Sequence, residues 1–425
     1  MNAFLVILLI INYAFYALLD IRALPVLIAL SLFTYTGGRV IFARKTGSAE
    51  TEAKSICILF IAIQVAVLCF FKYSGFFHLP VGMSFYMLMA ISYLADVCRG
   101  EFKSLPSAVE VLAYISFFPT VISGPIMKSK DLIPQFSSRK KLTGERVQRA
   151  VWMIAAGAFM KLVMADRLAV AVDKVYEAPL VYSGVTLFMT SVAYTLQLLF
   201  DFAGYSYMAI AVASLLGFDI TANFNLPYIS SDPSEFWRRW HISLSSWLKD
   251  YVYIPLGGNR RGKVRTYINI FLVMTVSGLW HGSTVNFLVW GMLHGIGQII
   301  HKAFSGGKKD TGIRKPRILS MILTFLFVNF LWIPFRVPTL KDALTVFIRI
   351  ITLSPGASYY YTYTFIFAAL LLITEVIGIR SCGASNPLRP LPLDKMYGRV
   401  ALCVLVIMTA MFAYFGNGAF IYAQF

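Results

Sequence analysis

The chain has 425 residues, 58% hydrophobic and 14% charged, with five histidines and five cysteines. Soluble globular domains are nearer ~45–50% apolar, so this composition excludes a water-soluble globule and points to one polytopic helical membrane domain. A formal net charge of +18 would suit a nucleic-acid partner. The cations, however, sit in short clusters between apolar segments (Arg39/Arg44/Lys45, Lys128–Lys141, Arg260–Arg265, Lys302–Arg317), the pattern of cytoplasmic loops and anionic-lipid contact.

The opening stretch Met1–Leu19 lacks a basic n-region and a small-residue cleavage site, so it reads as the first spanning helix. Apolar stretches follow at Leu24–Tyr35, Ile56–Phe71, Val81–Ala95, Val109–Ile122, Val151–Met164, Val185–Leu199, Met208–Leu216, Ile268–Leu279, Val285–Ile300, Ile318–Ile333, Ala343–Ile351, Tyr363–Ile377 and Val400–Phe415. Several fall short of the ~20 residues a crossing needs. The expectation is about 11–13 helices, with further re-entrant or interfacial pieces lining a recess, where broken segments are tolerated at membrane depth. No internal repeat or long linker divides the chain, so residues 1–425 read as a single domain. The five cysteines carry no metal or disulfide spacing and read as small core residues.

The middle third differs in kind. Trp237, Trp240, Leu244 and Trp247 recur at spacings of three to four, which predicts one amphipathic helix with an aromatic face. Ser234 is its expected N-cap, and Arg238, Arg239, Ser245 and Lys249 fall largely elsewhere. Such a helix lies in the interface or dips into the bundle. Residues 233–265 are accordingly read as an amphipathic or re-entrant motif segment.

Two histidines stand out against this background. His241 sits in Phe236–His241, and His281 sits in Ser277–Gly282, within a second segment spanning 266–302. An imidazole inside an apolar protein costs solvation free energy, and near neutral pH it can accept a hydroxyl proton. Glycines at 278 and 282 permit close approach of a helix or substrate. Forty residues separate the two histidines, so only the fold could bring them together. Taken by itself, each reads more readily as a hydrogen-bonded core residue than as a functional one. Asn286, His294, Gln197, Asp201, Tyr205 and Ser206 are further polar residues in apolar runs; Asp201 is costly there and is a functional or pairing candidate. No phosphate loop, nucleophile elbow or metal cluster is present in the sequence.

The stretches Phe71–Gly75, Leu79–Tyr86, Ser92–Gly100, Ser116–Pro119, Ser123–Ile126, Ala165–Arg167, Tyr194–Ser206, Glu235–Ser245, Asp250–Arg260, Gly278–Gly282 and Phe420–Phe425 resemble the membrane-bound O-acyltransferase family. The resemblance is to the branch of the bacterial alginate, peptidoglycan and cellulose O-acetylation proteins. It implies an all-α ring of tilted helices around a funnel, with His281 as the catalytic histidine and His241 as its upstream partner. Beside these two, Trp280, Asn286, Asp201, Tyr205, Arg238, Arg239 and Trp240 are candidates for the donor or substrate path, and no metal and no bound cofactor are expected. The implied donor is acetyl-CoA or another acyl thioester, an acyl-carrier protein being the alternative source. The implied acceptor is an extracytoplasmic SGNH-type acetyltransferase or similar protein, reached across the inner (cytoplasmic) membrane. Two departures stand out: the family's Gly-Tyr-Ser-Asp-Met reads Gly204–Met208 with Tyr207 at the acidic position, and Ser354–Leu391 matches poorly. The D-alanyl transfer protein of teichoic acid synthesis is the nearest alternative. A transporter of polysaccharide precursors, with the histidines in a proton relay, is a third reading.

Overall fold

A computed structural model describes residues 3–47, 49–304, 318–382 and 393–415. The expected fourth basic cluster lies mostly in 305–317, outside the described residues, as does the closing motif 420–425. The described residues are all-α, with one isolated parallel bridge between Tyr182 and Ala357. They fall into two compact units: residues 3–150 with 209–221, and 151–208 with 222–415.

The first unit contains α1 (Ala3–Asp20), α2 (Leu24–Thr46), α3 (Glu50–Tyr73), α4 (Met83–Arg99), α5 (Ala108–Ile115) and the single turn α6 (Ser129–Leu132). Buried polar side chains pin these helices together, as an apolar environment requires. Asn12 of α1 donates to the Ala113 carbonyl at 3.2 Å and accepts from the Phe118 N–H at 3.1 Å. Gln64 donates to Thr34 at 2.6 Å, and Asp96 accepts from the Ser129 hydroxyl at 2.7 Å.

The second unit takes part of α7 (Gly144–Phe159), then α8 (Asp166–Glu177), and most of α9 (Gly184–Leu215). Two expected apolar pieces, 185–199 and 208–216, are therefore one helix of 32 residues. The polar residues between them do not break it because neighbouring side chains satisfy them, Asp201 above all. The unit continues with α10 (Pro233–Arg239), α11 (Ile242–Leu248), α12 (Gly262–His281), α13 (Val285–Phe304), α14 (Ile318–Arg336), α15 (Leu340–Ile351), α16 (Thr362–Cys382) and α17 (Met396–Phe412). Among the described residues five helices are long and apolar enough to cross a membrane: α1, α2, α3, α9 and α14. Of the four cysteines whose side chains are described, Cys57 is buried, whereas Cys69 and Cys403 are exposed on apolar helix faces, not packed in a core.

Candidate active site

The helix expected from residue 234 onward is broken at His241. Asp232, not Ser234, is the N-cap: its carboxylate accepts the Glu235 N–H at 2.8 Å. Pro233 takes the first helical position, where its missing N–H costs nothing. The helix ends after seven residues, with Trp240 extended and His241 left-handed at φ 45°, ψ 52°. Such a conformation costs roughly 1–3 kcal/mol and persists only where the surroundings over-determine it. Asn223 provides much of that constraint. Its carbonyl accepts the Ile242 N–H at 2.9 Å, its side chain accepts the Ser243 hydroxyl at 2.6 Å, and its amide donates to Ser206 of α9 at 3.0 Å. Arg239 secures the same strap, pairing with Glu235 at 2.8 Å and donating to the Asn225 carbonyl at 3.1 Å. Trp237, Trp240 and Trp247 are buried, so they are core residues and not headgroup anchors. Arg238 and Lys249 are exposed.

His281 is the last residue of α12, and a three-residue connection turns the chain back into α13. The two helices touch backbone to backbone: a Cβ on Gly278 would lie 2.3 Å from the Phe287 carbonyl, and one on Gly291 2.3 Å from that of Met274. A Cβ on Gly282 would lie 2.0 Å from the Phe287 ring. The small residues at 278 and 282 thus do what their spacing suggested. A Gly278→Ala protein is expected to lose roughly 1–3 kcal/mol through forced separation of the helices, and to lose transfer rate as His281 shifts. Thermal unfolding and an acyl-transfer assay check this; Val276→Ala, on an exposed position of the same helix, should change neither.

The fold brings the two histidines together. Their ring centroids are 6.2 Å apart, and His241 and His281 are 0% and 1% exposed. Aromatic rings close around the pair. Phe202 meets His241 edge-on at 4.7 Å, while Trp280, Trp290 and Phe335 meet His281 at 4.8, 5.1 and 5.5 Å. His294 of α13 stands one layer away, accepting the Trp237 indole N–H on Nδ1 at 3.3 Å and lying parallel to Phe236. Trp240 joins that outer stack, 5.6 Å from Phe236 and 5.1 Å from Trp332.

The remaining expected residues are placed differently. Asn286 donates to the Val337 carbonyl at 2.7 Å, tying α13 to the end of α14. Asp201 accepts from Lys161 at 2.6 Å, and Lys161 also pairs with Asp166 at 2.8 Å, in a nearly solvent-free Asp–Lys–Asp triad. Lys161 reaches both acids because residues Met160–Ala165 form a π-helical turn. Just before it, Gly157 and Gly204 let α7 and α9 meet with backbone spacing. The triad ties α9 to the π-helical turn, and Phe202, the neighbour of Asp201, meets the His241 ring. Tyr205, one turn further along α9, is half-buried. Sequence reading missed Asn223, Lys161, Phe202 and Phe335. Only Phe202 had a signal, its place beside a charged residue in an apolar run.

Among known proteins, the family model of MBOAT, membrane-bound O-acyltransferase family, matches residues 42–338. The chain is 37% identical over 358 residues to the probable alginate O-acetylase AlgI of Pseudomonas aeruginosa, covering 79% of this chain and 68% of that protein. It is 33% identical over 377 residues to the peptidoglycan O-acetyltransferase of Helicobacter pylori, covering 78% and 71%. The teichoic acid D-alanyltransferase of Streptococcus thermophilus matches a smaller part, 34% over 243 residues, covering 54% and 58%. The residues matched by the family model span the strap, the broken helix and the α12–α13 hairpin that hold the two histidines. The chain belongs to the membrane-bound O-acyltransferase family and is a multi-pass membrane acyltransferase.

Proposed function

We propose that this enzyme is an O-acetyltransferase of the cell (cytoplasmic) membrane, passing an acetyl group outward for O-acetylation of an envelope or extracellular polysaccharide. The observation that carries the reading is the meeting of His241 and His281 at 6.2 Å inside a water-poor aromatic enclosure. In this reading His281 accepts the proton of an acceptor hydroxyl as its oxygen attacks a thioester carbonyl. The tetrahedral adduct then collapses, the C–S bond breaks, and the proton passes to the departing thiolate. No net proton is gained or lost, so one neutral imidazole suffices as both base and acid. His241 orients or polarises the reacting group from the opposite side.

The donor in this proposal is acetyl-CoA or an acetylated carrier protein, and the acceptor a hydroxyl on an extracytoplasmic SGNH-type acetyltransferase or similar partner. The enclosure is closed around both rings, so the substrates reach them only when an aromatic side chain swings aside. Trp280 is the least covered of the four, at 8%. Higher coverage by acetylases than by a D-alanyltransferase supports acetyl over D-alanyl as the group carried. Membrane vesicles holding the enzyme and its genomic neighbours, supplied with either acetyl-labelled coenzyme A or D-alanyl-labelled carrier protein, test this. Acetyl label should appear in an oxygen ester on the far side of the membrane; D-alanyl label there, with acetyl absent, would replace this reading with the alternative. Vesicle uptake of a lipid-linked sugar without any acyl donor would instead revive transport.

A further inference from the structure

A second feature of the same unit has no part in the histidine chemistry. An open groove of about 250 Å³ runs between the start of α8, residues 359–364 and Tyr414, and is lined by Arg167 together with Tyr359, Tyr361, Tyr363 and Tyr414. It shares no residue with the enclosure around His241 and His281. Its tyrosines also lie beyond residues 42–338, which the family model matches.

Arg167 is the key to the groove. Its Nε donates to the Phe412 carbonyl at 2.8 Å, and its guanidinium carbon lies 5.5 Å from the Tyr363 ring centroid and 5.9 Å from that of Phe412. One donor and the aromatic faces thus hold the side chain still. The terminal guanidinium nitrogens meet no acceptor among the described residues, and no carboxylate there neutralises the charge; the adjacent Asp166 is committed to Lys161. Lys174, two turns further along α8, stands 5.6 Å over the Tyr359 ring. The hydroxyls of Tyr359, Tyr363 and Tyr414 have no hydrogen-bond partner among the described residues. The groove therefore presents donors and positive charge, and no acid.

That inventory selects for an acceptor-only anion. A planar guanidinium with its outer nitrogens free matches two oxygens of a phosphate, which a neutral sugar hydroxyl network does not offer. The helices that start and end at the groove add a second requirement. Phe365, Ile366 and Ile373 on α16, and Ile407 and Met411 on α17, are 48–68% exposed, which continues the polar groove into a bare aliphatic surface. Basic, aromatic-rimmed recesses beside apolar helices are where phospholipid headgroups bind in membranes. We propose that Arg167 and the tyrosines around it form a specific site for the phosphate of an anionic glycerophospholipid, whose acyl chains lie along α16 and α17.

The test uses the full-length protein in phosphatidylcholine nanodiscs, titrated with phosphatidylglycerol and read by native mass spectrometry of the lipid retained. Wild type should retain phosphatidylglycerol in preference to phosphatidylcholine. Arg167→Gln should weaken that preference by about tenfold or more, since it removes a charge-assisted hydrogen-bond pair. Arg167→Lys, with charge but no fork, should fall between. The exposed Arg44→Ala variant, at a site paired with Glu52, should behave as wild type. If Arg167→Gln fails to fold, the Tyr363→Leu/Tyr414→Leu pair, which leaves the Phe412 contact intact, must show the same loss. Equal retention by Arg167→Gln and wild type, or by phosphatidylcholine and phosphatidylglycerol, overturns the proposal. Displacement of the lipid by soluble glycerol phosphate at similar concentration would assign the site to a free phosphate. Displacement by a neutral oligosaccharide would assign it to a sugar chain.

Discussion

A His281→Ala protein is expected to insert and fold as wild type and to transfer acyl groups slower by ~10²–10⁴-fold, the usual worth of a positioned general base. The truncation removes the ring that Trp280, Trp290 and Phe335 surround, but leaves the Gly278–Gly291 crossing and every helix cap untouched. A far-side label assay, normalised to the amount of folded protein, measures the loss. Undiminished transfer in that variant would remove His281 from the mechanism. His241→Asn is the informative partner, because asparagine tolerates the left-handed backbone that this position imposes. It should keep the break between α10 and α11, lose only the imidazole, and fall less far in rate than His281→Ala. His241→Val, β-branched and unsuited to positive φ, should instead lose stability as well as rate.

Removing Lys161 should produce the largest loss of stability. Lys161→Met leaves Asp201 and Asp166 facing each other in a nearly dry site with no cation between them, and breaking a buried ion pair from one side typically costs ~3–5 kcal/mol. Thermal unfolding in detergent should show a clear drop. The triple replacement Asp166→Leu/Lys161→Met/Asp201→Leu should recover most of it, since a buried ionic cluster and an apolar one of similar volume are often close in stability. The recovered protein should still transfer slowly, because α9 no longer has a fixed register and Phe202 no longer holds its edge against His241. If the triple variant transfers at the wild-type rate, the triad serves stability alone.

The sequence by itself determined a good deal. Composition and the recurrence of apolar runs established an all-α membrane protein, because backbone in hydrocarbon has few ways to satisfy its own hydrogen bonds. The ordered motifs from Phe71 to Gly282 were enough to reach the family, and the glycines at 278 and 282 announced a close helix contact. Asp201 was legible as a charge needing a partner, but the partner, Lys161, lies 40 residues away, in a π-helical turn.

What the tertiary structure alone decided is geometry between distant segments. Three-to-four spacing of tryptophans describes a continuous helix, and nothing local warns that Asn223, far back in the chain, captures Ile242 and Ser243 and bends the backbone at His241. Asp232 displaced Ser234 as the cap because the proline between them suits the first helical position, a choice settled by side-chain reach. Most of all, the separation of His241 and His281 along the chain carries no information about their separation in space. A 6.2 Å approach depends on contacts between distant segments, such as Asn223 with Ser243 and Phe202 with His241, and such contacts leave no period in the sequence.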